Sequence, residues 1–221
     1  FKIQGNTIAF TTGTKSGQTG SGNYILKNDE YLVNGTYETF SSNGQKLITG
    51  EFKEGVPVTT VKGWYPDGKI KFVHPLNGTA KTFDENGNLI MEGPLENGLG
   101  NGLFTGYSNN KKIYEYQYVA GKPNGLQKEY DSNEKVSREF FAHPDFQGYN
   151  ALNEGLQLTM KDGKFGYLDR TGKFIIAPMY DQANDFYKGK ASVRKGNLTY
   201  SINRAGSRLI KNELRYRPKP S

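Results

Sequence analysis

The sequence predicts an all-β chain assembled from stacked hairpins, and three observations carry that expectation. Hydrophobic residues make up only 34% of the chain while aromatics reach 13%, so rings packed on pleated strands have to supply much of the burial. Glycine occurs 28 times, well above the share expected from its usual abundance of about 7%. Tight turns between strands require it, because it accepts a positive φ without steric penalty. The third observation is a repeated phrase: an aromatic strand, an Asn-Gly turn, a second strand and a closing glycine.

The phrase is plainest from Gly35 to Gly55, with Tyr37, Phe40, Asn43-Gly44, Leu47, Gly50 and Phe52. It returns from Gly63 to Phe72 around Asp67-Gly68, and from Gly78 to Gly93 around Asn86-Gly87. Two looser copies, Gly102 to Ile113 and Gly125 to Val136, keep Asn110 and Asn133 but lack the turn glycine. The turn residues Asn43, Asp67, Asn86, Asn110 and Asn133 stand 24, 19, 24 and 23 positions apart. Asn-Gly between alternating apolar and polar residues predicts a type I′ hairpin in each unit, since both residues tolerate left-handed backbone. A lone hairpin is marginal in water, so successive units are expected to stack into an elongated array with a long open face.

These units resemble the bacterial variant of the MORN repeat over about residues 30–140. A second pattern begins near residue 156: Asp162-Gly163-Lys164-Phe165-Gly166-Tyr167, then Thr171-Gly172-Lys173 and Pro178 to Val193. It resembles the WG repeat, with Phe165 where that family has Trp. A weaker second copy follows, in which Leu198-Thr199 replaces the Trp-Gly pair.

The organisation expected is therefore an N-terminal strand with a Gly/Ser/Thr-rich loop (1–29), MORN-like hairpins (30–142), a boundary segment (143–155), WG-like hairpins (156–210) and a basic tail (211–221). Within the first block the strand is placed at Asn6 to Phe10 and a flexible loop at 11–23. The stretch Asp181 to Tyr187 reads as a helical turn or loop.

The residue inventory argues against catalysis. Cysteine is absent and there are two histidines, His74 and His143, each followed by proline, which places them in extended or turn segments. The run from Asp84 imitates the start of a calcium loop, but Leu89 and Leu95 stand where the turn glycine and bidentate carboxylate belong. The glycine-rich stretches lack the endings of phosphate or dinucleotide loops. No catalytic residue, metal or cofactor is expected.

Net charge is +7 with a pI near 9.3, which suits acidic partners. The candidate binding residues are Trp64, Tyr65 and Tyr107 as aromatic anchors, with Arg204, Arg208, Lys211, Arg215 and Arg217 as the nearest thing to a basic cluster. Tyr114, Tyr116 and Tyr118 alternate along one strand and read as packing residues. Both repeat resemblances imply binding, foremost to another protein. An immunity protein of a toxin system, or a binder of anionic lipid or envelope polymer, is the alternative. Nucleic acid is disfavoured because basic and acidic residues alternate along the repeats. No segment has the apolar length of a membrane helix. The start at Phe1 and the polar β composition favour a periplasmic or secreted placement.

Overall fold

The computed structural model describes residues 2–4, 7–13, 17–148 and 150–210. Among them every regular element is a strand, as the composition predicts. The chain divides into two compact units, one of Phe1–Pro123 with Glu129–Ser137, the other of Asn124–Lys128 with Arg138–Ser221.

In the first unit the strands from Lys2–Gln4 to Lys122–Pro123 form an antiparallel meander in which each long strand pairs with the next, while the short strands Glu30–Val33, Val56–Pro57, Leu99–Gly100 and Lys122–Pro123 each pair back on the strand before them. Two kinds of turn alternate along it. At one end sit two-residue turns with both residues left-handed: Asn28-Asp29, Glu54-Gly55, Asn97-Gly98 and Ala120-Gly121. These are the type I′ hairpins, and they join the units.

The Asn-Gly sites are different, which corrects the sequence expectation. Ser41–Gln45, Tyr65–Lys69, Asp84–Asn88 and Asp131–Lys135 each form a loop in which the first N–H donates to the fifth carbonyl and the fourth N–H to the first carbonyl, all at 2.8–3.0 Å. Only the fourth residue is left-handed: Gly44, Gly68, Gly87 and, in the last loop, Glu134 at φ 58°. Asn43, Asp67, Asn86 and Asn133 keep a negative φ and stand before it, so this is a type I turn closed by a left-handed residue. The first-position side chain explains the preference for Asp: Asp84 Oδ1 accepts the N–H groups of Asn86 at 2.9 Å and Asn88 at 2.8 Å. At Asn110 the loop shortens, and Asn109-Asn110 makes a two-residue turn with both φ positive.

Three of these loops and the Asn109-Asn110 turn are entered through a β-bulge, at Thr39/Phe40, Gly63/Trp64, Thr82/Phe83 and Gly106/Tyr107. The register leaves Leu47, Lys71, Ile90 and Ile113 as the extra residues. It also sorts the side chains. One cross-strand row reads Glu38, Thr49, Lys62, Val73, Lys81, Glu92, Thr105 and Glu115, a polar face. The adjacent rows read Thr39, Ile48, Gly63, Phe72 and Tyr37, Gly50, Val61, an aromatic and glycine face. The glycines are needed because rings lie over them: a Cβ on Gly93 would stand 2.3 Å from Cγ of Phe104. Few side chains of this unit are fully buried, so much of the sheet surface remains accessible.

Residues 11–23 correct another expectation. Thr7–Gly13 and Thr19–Lys27 pair from Thr7↔Ile25 to Gly13↔Thr19, so most of the stretch read as a loop is a long hairpin. Its Gly and Thr residues are compatible with paired strands as well as with a linker, a distinction composition alone does not make.

The second unit has a conventional core. Leu156, Leu158, Tyr167, Ile176, Tyr180, Phe186, Ala191, Val193 and Ile202 pack together across a three-stranded sheet (Gln157–Lys161, Lys164–Leu168, Phe174–Tyr180) and a four-stranded sheet (Gln182–Ala183, Lys190–Lys195, Leu198–Asn203, Arg208–Leu209). Burial pushes the Tyr167 hydroxyl far above its usual range, and it donates to the carbonyl of Asn184 at 2.7 Å. The fully buried Gln157 side chain acts as a piece of ladder: it accepts from the N–H of Phe141 at 2.5 Å and donates to the Phe141 carbonyl at 2.9 Å. Residues 143–155 pack in this unit, with Gln147 bridging Met160. Between Asp181 and Tyr187 the chain makes the short strand Gln182–Ala183 and otherwise loop, with no helical turn. The five-residue loop of the first unit reappears here as Asp169–Lys173 and Asn203–Ser207, with left-handed Gly172 and Gly206.

Candidate functional site

The aromatic face of the first unit opens into a groove of about 480 Å³. Trp64, Tyr65, Tyr37 and Phe72 supply its rings, Leu47, Ile48 and Thr39 part of its wall, and Pro66 and Lys71 line it from the loop and the bulge. The local sequence explains how these side chains converge. Gly63 lets the Phe72 ring lie flat across its own strand, since a Cβ there would meet Cε1 of that ring at 2.2 Å. The bulge at Gly63/Trp64 then turns Trp64 and Lys71 toward the same face.

Tyr65 is fixed in place, its hydroxyl donating to the carbonyl of Phe83 at 2.8 Å. Desolvation, together with the carboxylates of Glu85, Asp84 and Asp67, holds this hydroxyl above its usual pKa, so it stays a donor. The Lys71 ammonium sits 5.5 Å from the centre of the Tyr65 ring. No carboxylate among the described residues pairs with it. Phe72 also stacks on His74 at 4.7 Å.

The repeats serve as one another's reference. The residue entering the loop is Phe40, Phe83 or Tyr130 in sister units and Trp64 here; the first loop position is Ser41, Asp84 or Asp131 against Tyr65. The second is Ser42, Glu85 or Ser132 against Pro66; the bulge residue, Lys71 here, is Leu47 and Ile90 in the first two of these units and Ile113 in the separate unit that carries the Asn109-Asn110 turn. All four departures line the one groove. Tyr65 also gives up the double N–H acceptance that Asp84 provides, leaving Asp67 Oδ1 to cap Lys69 at 3.0 Å. A unit that discards its own loop stabilisation at the positions facing a groove has a use for those side chains.

Of the residues singled out from sequence, Trp64 and Tyr65 meet in the groove. Tyr107 instead donates to Glu92 Oε1 at 3.1 Å and does not line it. Arg204 and Arg208 belong to the second unit. There Arg208 lies 4.8 Å over the Tyr200 ring, beside a shallow concavity of about 720 Å³. Lys211, Arg215 and Arg217 lie outside the described residues. Tyr114 and Tyr116 stack at 4.7 Å and Tyr118 packs edge-on against Phe104, all half-buried. The sequence reading missed Tyr37, Phe72 and Lys71; aligning the repeats on their bulges rather than on their turns would have exposed Lys71.

Both histidines and two of the loop carboxylates are held in structural contacts. His74 is held by Thr82 Oγ1 at 3.3 Å, with burial lowering its pKa. His143 Nδ1 accepts from the Asp145 N–H at 3.1 Å. The Asp84 and Asp169 carboxylates cap their own loops.

Comparison with known families matches one segment in each unit. Residues 76–97 match the MORN repeat variant, from the strand after Leu76 through the Asp84 loop to Asn97. Residues 165–198 match the WG containing repeat, and within them a Cβ at Gly166 would meet the backbone of Ile176 and Pro178 at 2.7 Å. No curated protein matches the chain. In chain order, this is a protein carrying a MORN-variant repeat followed by a WG-containing repeat.

Proposed function

We propose that the chain is a non-catalytic binding module of bacterial type, and that its MORN-type sheet takes a protein partner in the groove around Trp64. The observation that carries this is the convergence of Trp64, Tyr65, Pro66 and Lys71, four departures from the chain's own repeat, on one aromatic concavity. Trp and Tyr desolvate large areas while fixing few torsions, which is why they dominate the energetics of protein interfaces. The occupied histidines and loop carboxylates support the non-catalytic part of the proposal.

The test restores the sister sequence: Trp64→Phe, Tyr65→Asp, Pro66→Glu and Lys71→Ile together copy the unit at Phe83 to Ile90. This variant is expected to fold at least as well, because the new Asp caps the loop as Asp84 does. Pull-downs from lysate and envelope fractions at low and high salt should yield a protein retained at high salt by the native chain and lost by the variant. Equal capture by both chains would remove the groove from the account. Capture of lipid or polymer at low salt alone would replace a protein partner with an electrostatic surface. Turnover of a captured molecule, abolished by truncating Asp or Glu residues, would make the chain an enzyme.

A further inference from the structure

Resting on that reading of the groove, we propose that its occupant is an acidic peptide segment. An apolar side chain of the partner lies against Trp64, Phe72 and Tyr37, and a neighbouring carboxylate lies against Lys71.

The bulge position is where this claim begins. Leu47, Ile90 and Ile113 show that the bulge accepts an aliphatic residue, so Lys71 is there for its charge rather than for the fold. Three lysines of the repeats are paired with a carboxylate, Lys46 with Glu38 at 2.6 Å, Lys69 with Asp67 at 3.0 Å and Lys112 with Glu115 at 2.5 Å, while Lys62 and Lys81, like Lys71, have no ion pair among the described residues. Lys71 is exposed, and among the described residues it faces a ring and no carboxylate.

The carboxylates nearest the groove bear on the Tyr65 hydroxyl. Asp67 is held by Lys69 and Asp84 by the N–H groups of its own loop, while Glu85 has no ion pair among the described residues, with Lys71 or any other cation. The Tyr65 ring holds the ammonium beside the apolar pocket, so little ordering remains to be done on binding. The apolar wall and the single cation therefore ask for two things at short spacing, an apolar group and an anion. The net charge of +7 draws acidic chains toward the surface.

Display of random heptapeptides against the whole chain tests this, with selected peptides titrated by Trp64 fluorescence, the chain's one tryptophan. Peptides enriched on the native chain should carry Asp or Glu within two residues of Leu, Phe, Tyr or Trp. Lys71→Ile should bind them about fivefold more weakly at low salt, the upper range for an exposed ion pair, with the difference shrinking at high salt. Lys71→Glu should enrich Lys and Arg instead, and the fourfold sister-sequence variant should enrich none of these peptides. Peptides without an acidic preference, lost on the fourfold variant, would overturn the acidic occupant and leave the groove standing. The same peptides selected on the fourfold variant would overturn the groove itself. Failure to select any peptide, or displacement of selected peptides by phosphatidylglycerol vesicles, would also overturn the peptide occupant, the latter in favour of a membrane surface.

Discussion

Gly93 is the sharpest probe of how the first unit packs. Its φ is not in the left-handed region, so any residue could adopt its backbone, and the argument for glycine is purely one of space. An added Cβ would lie 2.3 Å, 2.4 Å and 2.6 Å from Cγ, Cδ1 and Cδ2 of Phe104. Ordinary contact is 3.4 Å or more, so the ring would have to retreat by about an ångström. It has little room, being 8% exposed, with Tyr118 edge-on at 5.1 Å on one side and Gly100 closely packed on another.

Overpacking of this kind costs roughly 1–3 kcal/mol, offset by about 0.5–1 kcal/mol because Ala loses less backbone entropy on folding than Gly. If the ring is expelled the loss approaches the roughly 3–5 kcal/mol of a Phe truncation. Gly93→Ala should therefore destabilise the unit by about 1–2 kcal/mol, rising to about 2–4 kcal/mol if the ring is expelled, in urea unfolding followed by circular dichroism. Phe104→Ala makes the cycle diagnostic, because the double variant removes the clash. The two losses should then fall short of additivity by about 1 kcal/mol or more. A Gly93→Ala protein as stable as the native one, or losses that simply add, would refute the ring-over-glycine account.

Three further expectations follow from the loops and the second core. Glu134 holds the left-handed position that glycine takes in the sister loops, so Glu134→Gly should gain about 0.5 kcal/mol despite losing the acceptor for the Lys112 N–H, read as a rise in Tm. Gln157→Leu leaves the Phe141 N–H and carbonyl unpaired in a buried site and should cost about 2–4 kcal/mol in denaturant unfolding of the second unit. Hydrogen bonds from Asn88 and from Thr171 hold the Asp84 and Asp169 carboxylates below their usual pKa. A depressed folded pKa adds stability above the unfolded value of about 4 that is lost as pH falls through the folded value, so Tm should drop below about pH 4. Asp84→Asn with Asp169→Asn should flatten that drop while still folding, because Asn203 fills the same loop position.

The hairpin period was legible because an Asn or Asp stands directly before the left-handed residue of each five-residue loop of the first unit, which is glycine in three of the four. The loop type was not: the difference between a type I′ turn and a type I turn closed by a left-handed residue lies in the register of the flanking strands. The stretch 11–23 shows the same limit, since its Gly and Thr residues become strand only when the neighbouring hairpin pairs with them. Trp64 and Tyr65 stood out by residue type. Lys71 did not, because a lone lysine reads as a solvated surface residue until the bulge places it among Leu47, Ile90 and Ile113. Tyr37 and Phe72 were hidden among 28 Tyr and Phe residues that mostly pack.

The most direct measurement places 5-fluorotryptophan at position 64, the chain's one tryptophan, and follows its fluorine resonance as captured partner is added. A single resonance that shifts and saturates with the partner, and stays unmoved when Lys71→Ile and Pro66→Glu weaken binding, is the result predicted for a groove that holds the partner. A resonance that does not move while binding is plain by another method would put the interface elsewhere and contradict the account.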